Sequence, residues 1–464
     1  MDASGQSLKR KSVYFLNKYF SGEVLDYKKI ISIIFPVFVD QAFIILMSLV
    51  NTAMISSSGV AAVSAVSMVD SFNFFLINVF IAVATGGTVI VAQYKGSGNH
   101  DMVSKAAAQA ISAVTILSVV ISTIVIILHT PTLNLLFGRA DADVFANARI
   151  FLIGSCISFP FIAIFQAVTG ALRGVGETKA CLGLSVIMNM TYLLLNILFI
   201  SVLDMGVMGL VISMITARVL GMIISITYLM KYNHTLRFRI TNAIKLNFSI
   251  LKKIMIIGIP FAAEQMFFNG GKLLTQTFIV QLGTLAITAN AISGSIALLF
   301  QIGGNALSIT IVTVVGQCIG GKNIADARKF VKSFIGLATA FFLFAAAIIL
   351  PLFPYIIRLF SPPEEIVPTI FALMVFMAIS QPFLWSISFI MPSALRAAGD
   401  SNFTSITSLI TMWLVRVVLG YVLAITLGYG LMGVWIAMVV EWGIRGAIFT
   451  WRFKGEKWYS RKLI

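Results

Sequence analysis

Long apolar runs alternate with short polar segments along the whole chain. Each run has about 20 residues or more, which is the length that an α-helix needs to cross the ~30 Å hydrocarbon core of a bilayer. The runs lack the alternating polarity of strands in a membrane barrel. The pattern therefore predicts an all-α membrane protein whose helices 1 to 12 occupy residues 30–56, 61–94, 104–128, 146–170, 180–203, 207–230, 250–282, 285–318, 331–352, 365–394, 403–427 and 431–452.

The overall composition excludes a soluble fold. The chain has 464 residues, of which 59% are hydrophobic and 11% are charged, and its mean hydropathy is +0.99. Soluble domains carry about 25% charged residues, because most of their residues must face water. We therefore exclude a soluble enzyme, a disordered chain and a fibrous repeat. The first apolar run is too long for a signal peptide, so it predicts a spanning helix that follows an N-terminal segment, residues 1–29.

The distribution of basic residues predicts the orientation in the membrane. The formal net charge is +16, and with a cytoplasmic N-terminus 26 Lys and Arg residues lie in cytoplasmic segments. Only Arg139, Arg149 and Arg358 then lie on the opposite side. Because cytoplasmic loops are enriched in Lys and Arg, we expect a plasma-membrane protein with both termini in the cytoplasm. The positive charge therefore does not indicate a nucleic-acid partner. The basic linker 231–249 is expected to face anionic lipids rather than to form a ligand site, and the tail 453–464 is expected to be cytoplasmic.

The two halves of the chain repeat at an offset of 224 residues. The segment PVFVDQ at 36–41 corresponds to PFAAEQ at 260–265. At an offset of 223, ALRGVGET at 171–178 corresponds to ALRAAGDS at 394–401. Six helices in each half give both halves the same topology, which predicts a pseudo-twofold axis along the membrane normal and a substrate site between the halves. The predicted lobes are an N-lobe, residues 30–230, and a C-lobe, residues 250–452.

These motifs resemble those of the multidrug and toxic compound extrusion (MATE) family. The resemblance rests on ALRGVGET and ALRAAGDS, on VAQYKGSGN and VGQCIGGKN after helices 2 and 8, and on LVNTAMISSSGVAAVSA at the end of helix 1. It implies an antiporter that exports organic, often cationic, compounds in exchange for Na⁺ or H⁺ through a cavity between two lobes.

Two positions depart from the family's pattern. Many relatives have an acid late in helix 1 in a V-D-T context, where this chain has Asn51. Many also have a Glu eight residues after the proline of helix 7, where this chain has Phe268, with Glu264 one turn earlier. The usual coupling residues therefore do not transfer as a set, and both Na⁺ and H⁺ remain candidates.

Two acids are predicted at similar depth in the membrane. Asp40 lies about 15 Å into helix 1, and Glu264 lies about 16 Å past Lys253 in helix 7. A charge at this depth costs at least about 2.5–3.5 kcal/mol by insertion scales, so each acid must be protonated, ion-bound, paired or hydrated. We predict that both are ion-coupling residues, with Na⁺ or H⁺ as the coupling ion and no cofactor. The alternative is that they form buried hydrogen bonds that hold helices together.

Other side chains are candidates for the cavity lining, with ordinary helix packing as the alternative for each. They are Gln41, Met47, Asn51, Met54, Met68, Asp70, Asn196 and Gln265. Three further residues are predicted to be structural. Arg416 is expected to bind an acid or backbone carbonyls of another helix, with contact to a ligand as the alternative, while Glu441 and Arg445 have the spacing of an intrahelical pair. Lys272 is expected either to extend toward the outer interface or to compete as a tethered cation for an acid.

The motifs point to gradient-driven transport of small organic molecules. The chain lacks G-x-x-x-x-G-K-[ST] and the common hydrolase motifs, so neither a nucleotide site nor an enzyme is indicated. Three dispersed cysteines and three dispersed histidines do not form a metal-binding pattern. We expect a monomer in which cargo and ion compete as the two lobes alternate. Two alternatives remain: a lipid-linked oligosaccharide flippase of the same superfamily, which favours a more cationic cavity, and a membrane scaffold or enzyme.

Overall fold

Twelve long helices make up most of the part of the chain that the structure describes. The computed structural model describes residues 13–14, 16–56, 60–137 and 142–464. The helices are α1 Tyr27–Ser56, α2 Val60–Gly96, α3 His100–Ile127, α4 Ala142–Val175, α5 Thr178–Val202, α6 Gly206–Tyr232, α7 Phe248–Gln281, α8 Thr284–Gly320, α9 Ile324–Phe360, α10 Glu364–Ala397, α11 Ser401–Thr426 and α12 Gly430–Lys454. Within the described residues, all of these except α7 are long and apolar enough to cross a membrane. The predicted all-α membrane fold is confirmed.

Helix α7 is long enough to span, since its 34 residues extend about 51 Å. It is less apolar than the others because Glu264, Gln265, Asn269 and Lys272 follow one another within three turns. The helix nevertheless runs without a break through Pro260.

Several helix boundaries differ from the predicted spans because polar first turns extend the helices beyond the apolar runs. Helix α9 begins at Ile324 rather than at 331, directly after Asn323, whose side chain accepts a hydrogen bond from the Asp326 backbone N–H at 2.9 Å. The short helices that were not predicted include His129–Phe137 and Ile240–Ile244.

Several residues that recur in the sequence repeat cap helices or form the turns between them. Asn99, which corresponds to Asn323 at the 224-residue offset, caps α3 by accepting a hydrogen bond from the Met102 backbone N–H at 3.1 Å. Gly176 and Gly399 both have positive φ, at 86° and 103°, in the turns that follow α4 and α10. Because only glycine adopts this conformation readily, the repeat preserves the residues that end and begin the helices.

Residue contacts divide the chain into two compact units. One unit is Val39–Gln265, and the other consists of Met1–Phe38 and Met266–Ile464. Both boundaries lie inside helices that carry an internal proline, α1 with Pro36 and α7 with Pro260.

In the unit Val39–Gln265, α4 is the central helix. It packs along α2, α3 and α6, and α5 packs on α6. The start of α7 also belongs here, where a side chain added to Gly86 of α2 would come within 2.6 Å of the Ile254 carbonyl oxygen. The linker is fixed to α3, because the Gln109 side-chain amide donates to the carbonyls of Asn242 and Lys245 at 2.6 and 2.8 Å.

In the unit with residues 266–464, α8 packs on α9 and α10, and α12 packs on α10 and α11. A large aromatic and aliphatic core joins these helices and includes Trp385, Trp435 and Trp442. The N-terminal segment is held by Asp326, which accepts hydrogen bonds from the backbone N–H groups of Glu23 and Val24 at 2.7 and 3.2 Å.

The three cysteines of the chain, Cys156, Cys181 and Cys318, are all unpaired and buried. They lie in α4, α5 and α8.

Candidate functional site

Asp40 is a buried acid near the middle of α1. Its side chain is 5% exposed. The Ser185 hydroxyl of α5 lies within hydrogen-bonding reach of its carboxyl group, and the positive charge of Arg173 at the end of α4 acts on it. Within the described part of the chain, the Oδ1 atom has no hydrogen-bond partner. One carboxyl oxygen of Asp40 is therefore buried with its hydrogen-bonding capacity unused.

Glu264 is the second predicted coupling acid. It is 8% exposed in α7 and interacts with neighbouring groups. The contact-based division places both Asp40 and Glu264 in the unit Val39–Gln265. Gln41 and Gln265, the next residues in the two helices, are half-buried.

A group that we call the Asp70 cluster connects α2, α4 and α6. It consists of Asp70, Asn73, Ser155, Ser158 and Arg218. The Asn73 amide donates to the Ser155 hydroxyl at 2.8 Å, and the Arg218 guanidinium donates from Nη1 to the Ser158 hydroxyl at 2.5 Å. Asn73 lies within hydrogen-bonding reach of Asp70, and Arg218 acts on Asp70 by its charge. The Asp70 side chain is exposed, whereas Asn73 is 4% exposed, so an ordered polar network holds an accessible acid.

Asn196 extends this polar region along α5. It is 1% exposed, and its side chain lies within hydrogen-bonding reach of Tyr192 one turn earlier. The electrostatic neighbours of Tyr192 include Arg218 and Asp70. The structure therefore brings the predicted cavity residues Asp70 and Asn196 into one region.

The remaining cavity candidates are more scattered. Met47 is buried, and Met54 and Met68 are half-buried. Their roles stay predictions. The side chain of Asn51 lies outside the described residues.

A second group, which we call the Phe268 cluster, lies in the unit with residues 266–464. It consists of Phe268, Lys272, Arg416, Glu441 and Arg445. Three cations surround one aromatic ring: the Lys272 Nζ is 5.0 Å from the Phe268 ring centroid, the Arg416 Cζ is 5.9 Å away and the Arg445 Cζ is 5.6 Å away. Cations within about 6 Å of a ring centroid are attracted by its electron-rich face.

Glu441 is the acid of the Phe268 cluster. Its Oε1 atom is 3.0 Å from the Arg445 Nη1, with both side chains buried, and it accepts a hydrogen bond from the Thr411 hydroxyl at 3.4 Å. Arg445 also donates from Nε to the Ser388 hydroxyl at 2.7 Å. These bonds link α10, α11 and α12.

The hydrogen bonds of the Phe268 cluster are incomplete. Within the described residues, the Arg416 Nε, the Arg445 Nη2 and the Glu441 Oε2 are buried atoms without a hydrogen-bond partner. Such atoms are costly in a membrane protein, because hydrocarbon cannot replace the missing partner. The cluster also contains three cations and one acid, so it carries an excess positive charge.

Sequence reasoning identified these residues singly but missed their grouping. The Glu441–Arg445 spacing was visible because i and i+4 share a helix face. The contact between Arg218 and Ser158 joins positions 60 residues apart, and no local pattern signals it. Phe268 was singled out only because it replaces an acid, and its position amid three cations was not predicted.

The twelve long helices of the described residues, with buried charges near their middles, are typical of a multi-pass membrane transporter rather than an enzyme. The model of the MatE family matches residues 36–202 and 260–422, so the chain belongs to the MATE family of transporters. The two matched segments begin 224 residues apart, which is the offset of the internal repeat.

The curated relatives are similar over nearly their full length. The chain is 28% identical over 440 residues to the uncharacterized transporter YisQ of Bacillus subtilis, covering 93% of this chain and 94% of the relative. It is 24% identical over 448 residues to the probable multidrug resistance protein NorM of Thermotoga maritima, covering 94% of each.

Solved structures share the fold at low sequence identity. An aspartate-to-asparagine mutant of the Vibrio cholerae MATE transporter VcmN matches with a TM-score of 0.84 at 20% identity, over 97% of this chain and 100% of that one. A Pyrococcus furiosus transporter of the MOP superfamily matches with a TM-score of 0.82 at 18% identity, over 92% and 95% of the two chains. Its description states that the reverse polarity of its binding pocket suggests a different function.

Proposed function

We propose that this transporter is a secondary active exporter that exchanges Na⁺ or H⁺ for amphipathic organic compounds by alternating access. Both termini are on the cytoplasmic side of the plasma membrane in this proposal, as the distribution of basic residues predicts. The proposal is supported by the similarity to relatives such as the Thermotoga maritima protein, a probable multidrug resistance protein. The observation that carries it is the unpartnered Oδ1 of Asp40 in a spanning helix.

A buried carboxyl oxygen without a partner favours binding of a proton or a small cation. Ser185 and the charge of Arg173 hold the group in place, while Oδ1 remains available as a ligand. Neutralising the carboxylate removes most of its desolvation cost, so ion binding favours states in which Asp40 is fully enclosed. Release of the ion leaves a charge that favours a hydrated state, and this difference couples ion movement to conformation.

The energy available from the ion is sufficient for useful accumulation. One charge that moves down a potential of 100 mV releases about 2.3 kcal/mol. Since about 1.4 kcal/mol is a factor of ten in concentration, this supports more than tenfold accumulation of the exported compound.

The exposed carboxylate of Asp70 is a candidate contact for a cationic cargo. It is fixed by the buried Asn73 and screened on one side by Arg218, so it presents a defined oxygen surface. Asn196 and Tyr192 extend this surface with polar and aromatic groups. We assign Glu264, with Gln41 and Gln265, to a supporting role in ion coupling.

A second candidate function is a flippase-like transporter for an anionic, lipid-linked molecule. The excess positive charge of the Phe268 cluster favours it, since anionic headgroups require cations along their path. Export of a cationic dye distinguishes the two candidates, because a transporter specialised for anionic lipids does not move such a dye.

The test uses purified protein in proteoliposomes with Na⁺ and pH gradients imposed separately. We expect one gradient to drive export of a cationic dye and Asp40→Asn to reduce the driven component by about tenfold or more, equivalent to at least about 1.4 kcal/mol. Asp101→Asn removes an exposed acid at the start of α3 and serves as the matched control. Undiminished gradient-driven export in a variant with both Asp40→Asn and Glu264→Gln contradicts the assignment of the coupling residues.

A further inference from the structure

The Phe268 cluster has more positive charge than its own acid can balance. Among the described residues, the charged groups that act on Lys272 are Arg416, Arg445 and Glu441. Those that act on Arg416 are Glu441 and Arg445. Glu441 is therefore shared by three cations, and its Oε1 is already bound to Arg445 at 3.0 Å. Lys272 and Arg416 are left without an acid of their own.

Two guanidinium nitrogens of the cluster offer unused donors. The Arg416 Nε and the Arg445 Nη2 are both buried and have no acceptor among the described residues. Arg445 as a whole is only 2% exposed and is held by Glu441 and Ser388. A purely structural arginine in this setting would direct all its donors to acceptors in neighbouring helices, as buried polar groups generally do.

Part of the cluster is accessible. The Lys272 side chain is exposed and Arg416 is half-buried, whereas Glu441 is fully buried. Lys272 and Arg416 therefore form the outer part of the cluster, and Glu441 with Arg445 forms the inner part. An incoming group meets positive charge before it meets the carboxylate.

Apolar surface adjoins these cations. Phe268 is half-buried, and the Arg445 Cζ lies 4.4 Å from the ring centroid of Phe389, which itself stacks on Trp385 at 4.5 Å. On α7, Met266 and Phe267 are 40% and 50% exposed one turn or less before Phe268. The combination suits a molecule with an aromatic or aliphatic body and a charged end.

We infer that the Phe268 cluster binds the anionic end group of an amphipathic organic anion, through Lys272, Arg416 and the free Nη2 of Arg445. A carboxylate, sulfonate or phosphate oxygen would accept the unused guanidinium donors, which form stronger bonds to anions than to neutral acceptors. This inference rests on the proposed exporter and extends its cargo from organic cations to organic anions. The anion comes either from a soluble compound or from a lipid headgroup, and the chemistry of recognition is the same.

Three pyrene compounds with one apolar body and different end groups test the inference. Pyrenebutyrate is anionic, pyrenemethylamine is cationic and pyrenemethanol is neutral. Binding to the protein in phosphatidylcholine nanodiscs is followed by energy transfer from tryptophan to pyrene, which Trp385 beside Phe389 is placed to report. We expect a saturable signal in which pyrenebutyrate half-saturates at about tenfold lower concentration than the other two. Equal half-saturation for all three overturns the inference.

Variants connect the preference to the cluster. Lys272→Gln and Arg416→Gln are each expected to weaken pyrenebutyrate binding about three- to tenfold and to leave pyrenemethanol binding unchanged. Arg416→Lys retains the charge and is expected to lose less than Arg416→Gln. Lys454→Gln, which removes an exposed cation elsewhere on α12, is the control and should have no effect. Unchanged anion preference in both Gln variants contradicts the assignment. Because Lys272 is exposed, its substitution is not expected to disturb the packing of the core.

Addition of anionic phosphatidylglycerol to the nanodiscs distinguishes the sources. If a lipid headgroup occupies the cluster, phosphatidylglycerol raises the pyrenebutyrate concentration needed for half-saturation of the unmodified protein but not of the Lys272→Gln variant. If the site takes soluble anions, the lipid has no effect on either protein. If the unmodified protein prefers pyrenebutyrate but exports no cationic dye, the result counts against the proposed exporter alone. If it exports the dye but does not prefer pyrenebutyrate, the result counts against this inference alone.

Discussion

The two polar clusters of the protein differ in charge balance although they lie in repeated halves of one chain. The Asp70 cluster joins one acid to one arginine and surrounds them with amide and hydroxyl groups, and within the described residues the Asn73 Oδ1 is its one buried side-chain atom without a hydrogen-bond partner. The Phe268 cluster joins three cations to one acid and leaves buried donors unused. The first cluster is nearly neutral and has one buried atom without a partner, whereas the second is positive and has three such atoms among the described residues.

The repeat shows that duplication kept the framework and changed the sites. At the 224-residue offset, Asn99 and Asn323 cap equivalent helices. At the same offset, Asp70 corresponds to Gly294, Arg218 to Trp442 and Glu441 to Ala217. Helix ends are fixed by backbone geometry and therefore recur, whereas the polar clusters are free to differ. The two halves thus offer two chemically distinct surfaces on one architecture.

The largest expected effect comes from breaking the buried ion pair of the Phe268 cluster. Glu441→Gln leaves three cations with no acid among the described residues of the cluster, and removing one member of a buried pair costs about 3–5 kcal/mol. We expect a large loss of thermal stability in detergent. Asp400→Asn breaks the more exposed Arg452–Asp400 pair, at 2.7 Å, and is the matched control with a small effect. Equal losses in the two variants would mean that the excess positive charge carries no energetic consequence.

The acid of the Asp70 cluster is expected to affect cargo selection. Asp70→Asn is expected to reduce export of a cationic dye about tenfold, since the carboxylate supplies a charge-assisted contact. The same variant should leave pyrenebutyrate binding unchanged, because the Phe268 cluster is intact. Parallel dye-export and probe-binding measurements on one preparation make the comparison. A variant that lost both activities together would show that the clusters are not chemically separate.

The hydrogen bond between Arg218 and Ser158 in the Asp70 cluster is expected to contribute to thermal stability. Ser158→Ala removes the acceptor of Arg218, and a hydrogen bond to a charged group contributes about 1.5–3 kcal/mol. We expect a lower melting temperature. The matched control is Ser213→Ala. This variant removes a buried hydroxyl of α6 that donates to the Gly209 carbonyl of the same helix. If both alanine variants melt at the same temperature, Ser158 does not support Arg218.

The smallest effects concern the segments held against the two units. Gln109→Ala removes the side chain that binds Asn242 and Lys245, while the Asp326 contacts to Glu23 and Val24 remain. We expect about fivefold faster amide hydrogen exchange in residues 240–247, which corresponds to about 1 kcal/mol of local opening, and no change in residues 21–26. Asp326→Ala should give the opposite pattern. Exchange that rises in both segments for either variant would indicate a global rather than a local effect.

Much of the fold could be predicted because the relevant information is local. Apolar run length predicted the helices, including α7, although α7 does not meet the apolarity of the other long helices. Helix ends were displaced where polar caps such as Asn323 extend a helix beyond its apolar part. The π-helical stretches, including Thr411–Val417 around Arg416, have no signature in hydrophobic periodicity and were missed.

The candidate sites were less predictable because they depend on packing between distant segments. The pair Glu441 and Arg445 follows from spacing within one helix. The position of Lys272 beside Phe268 also follows from four-residue spacing, but its proximity to Arg416 and Arg445 requires the packing of three helices. The role of Asp40 was argued from depth alone, and its coupling function stays a prediction.

Because all three native thiols are buried, they compete little with an introduced cysteine in site-directed labelling. A cysteine introduced at Asp70 or Lys272, both exposed, would react with a maleimide fluorophore far faster than Cys156, Cys181 or Cys318. Reporter dyes can therefore be attached to either cluster in turn without first replacing any native residue.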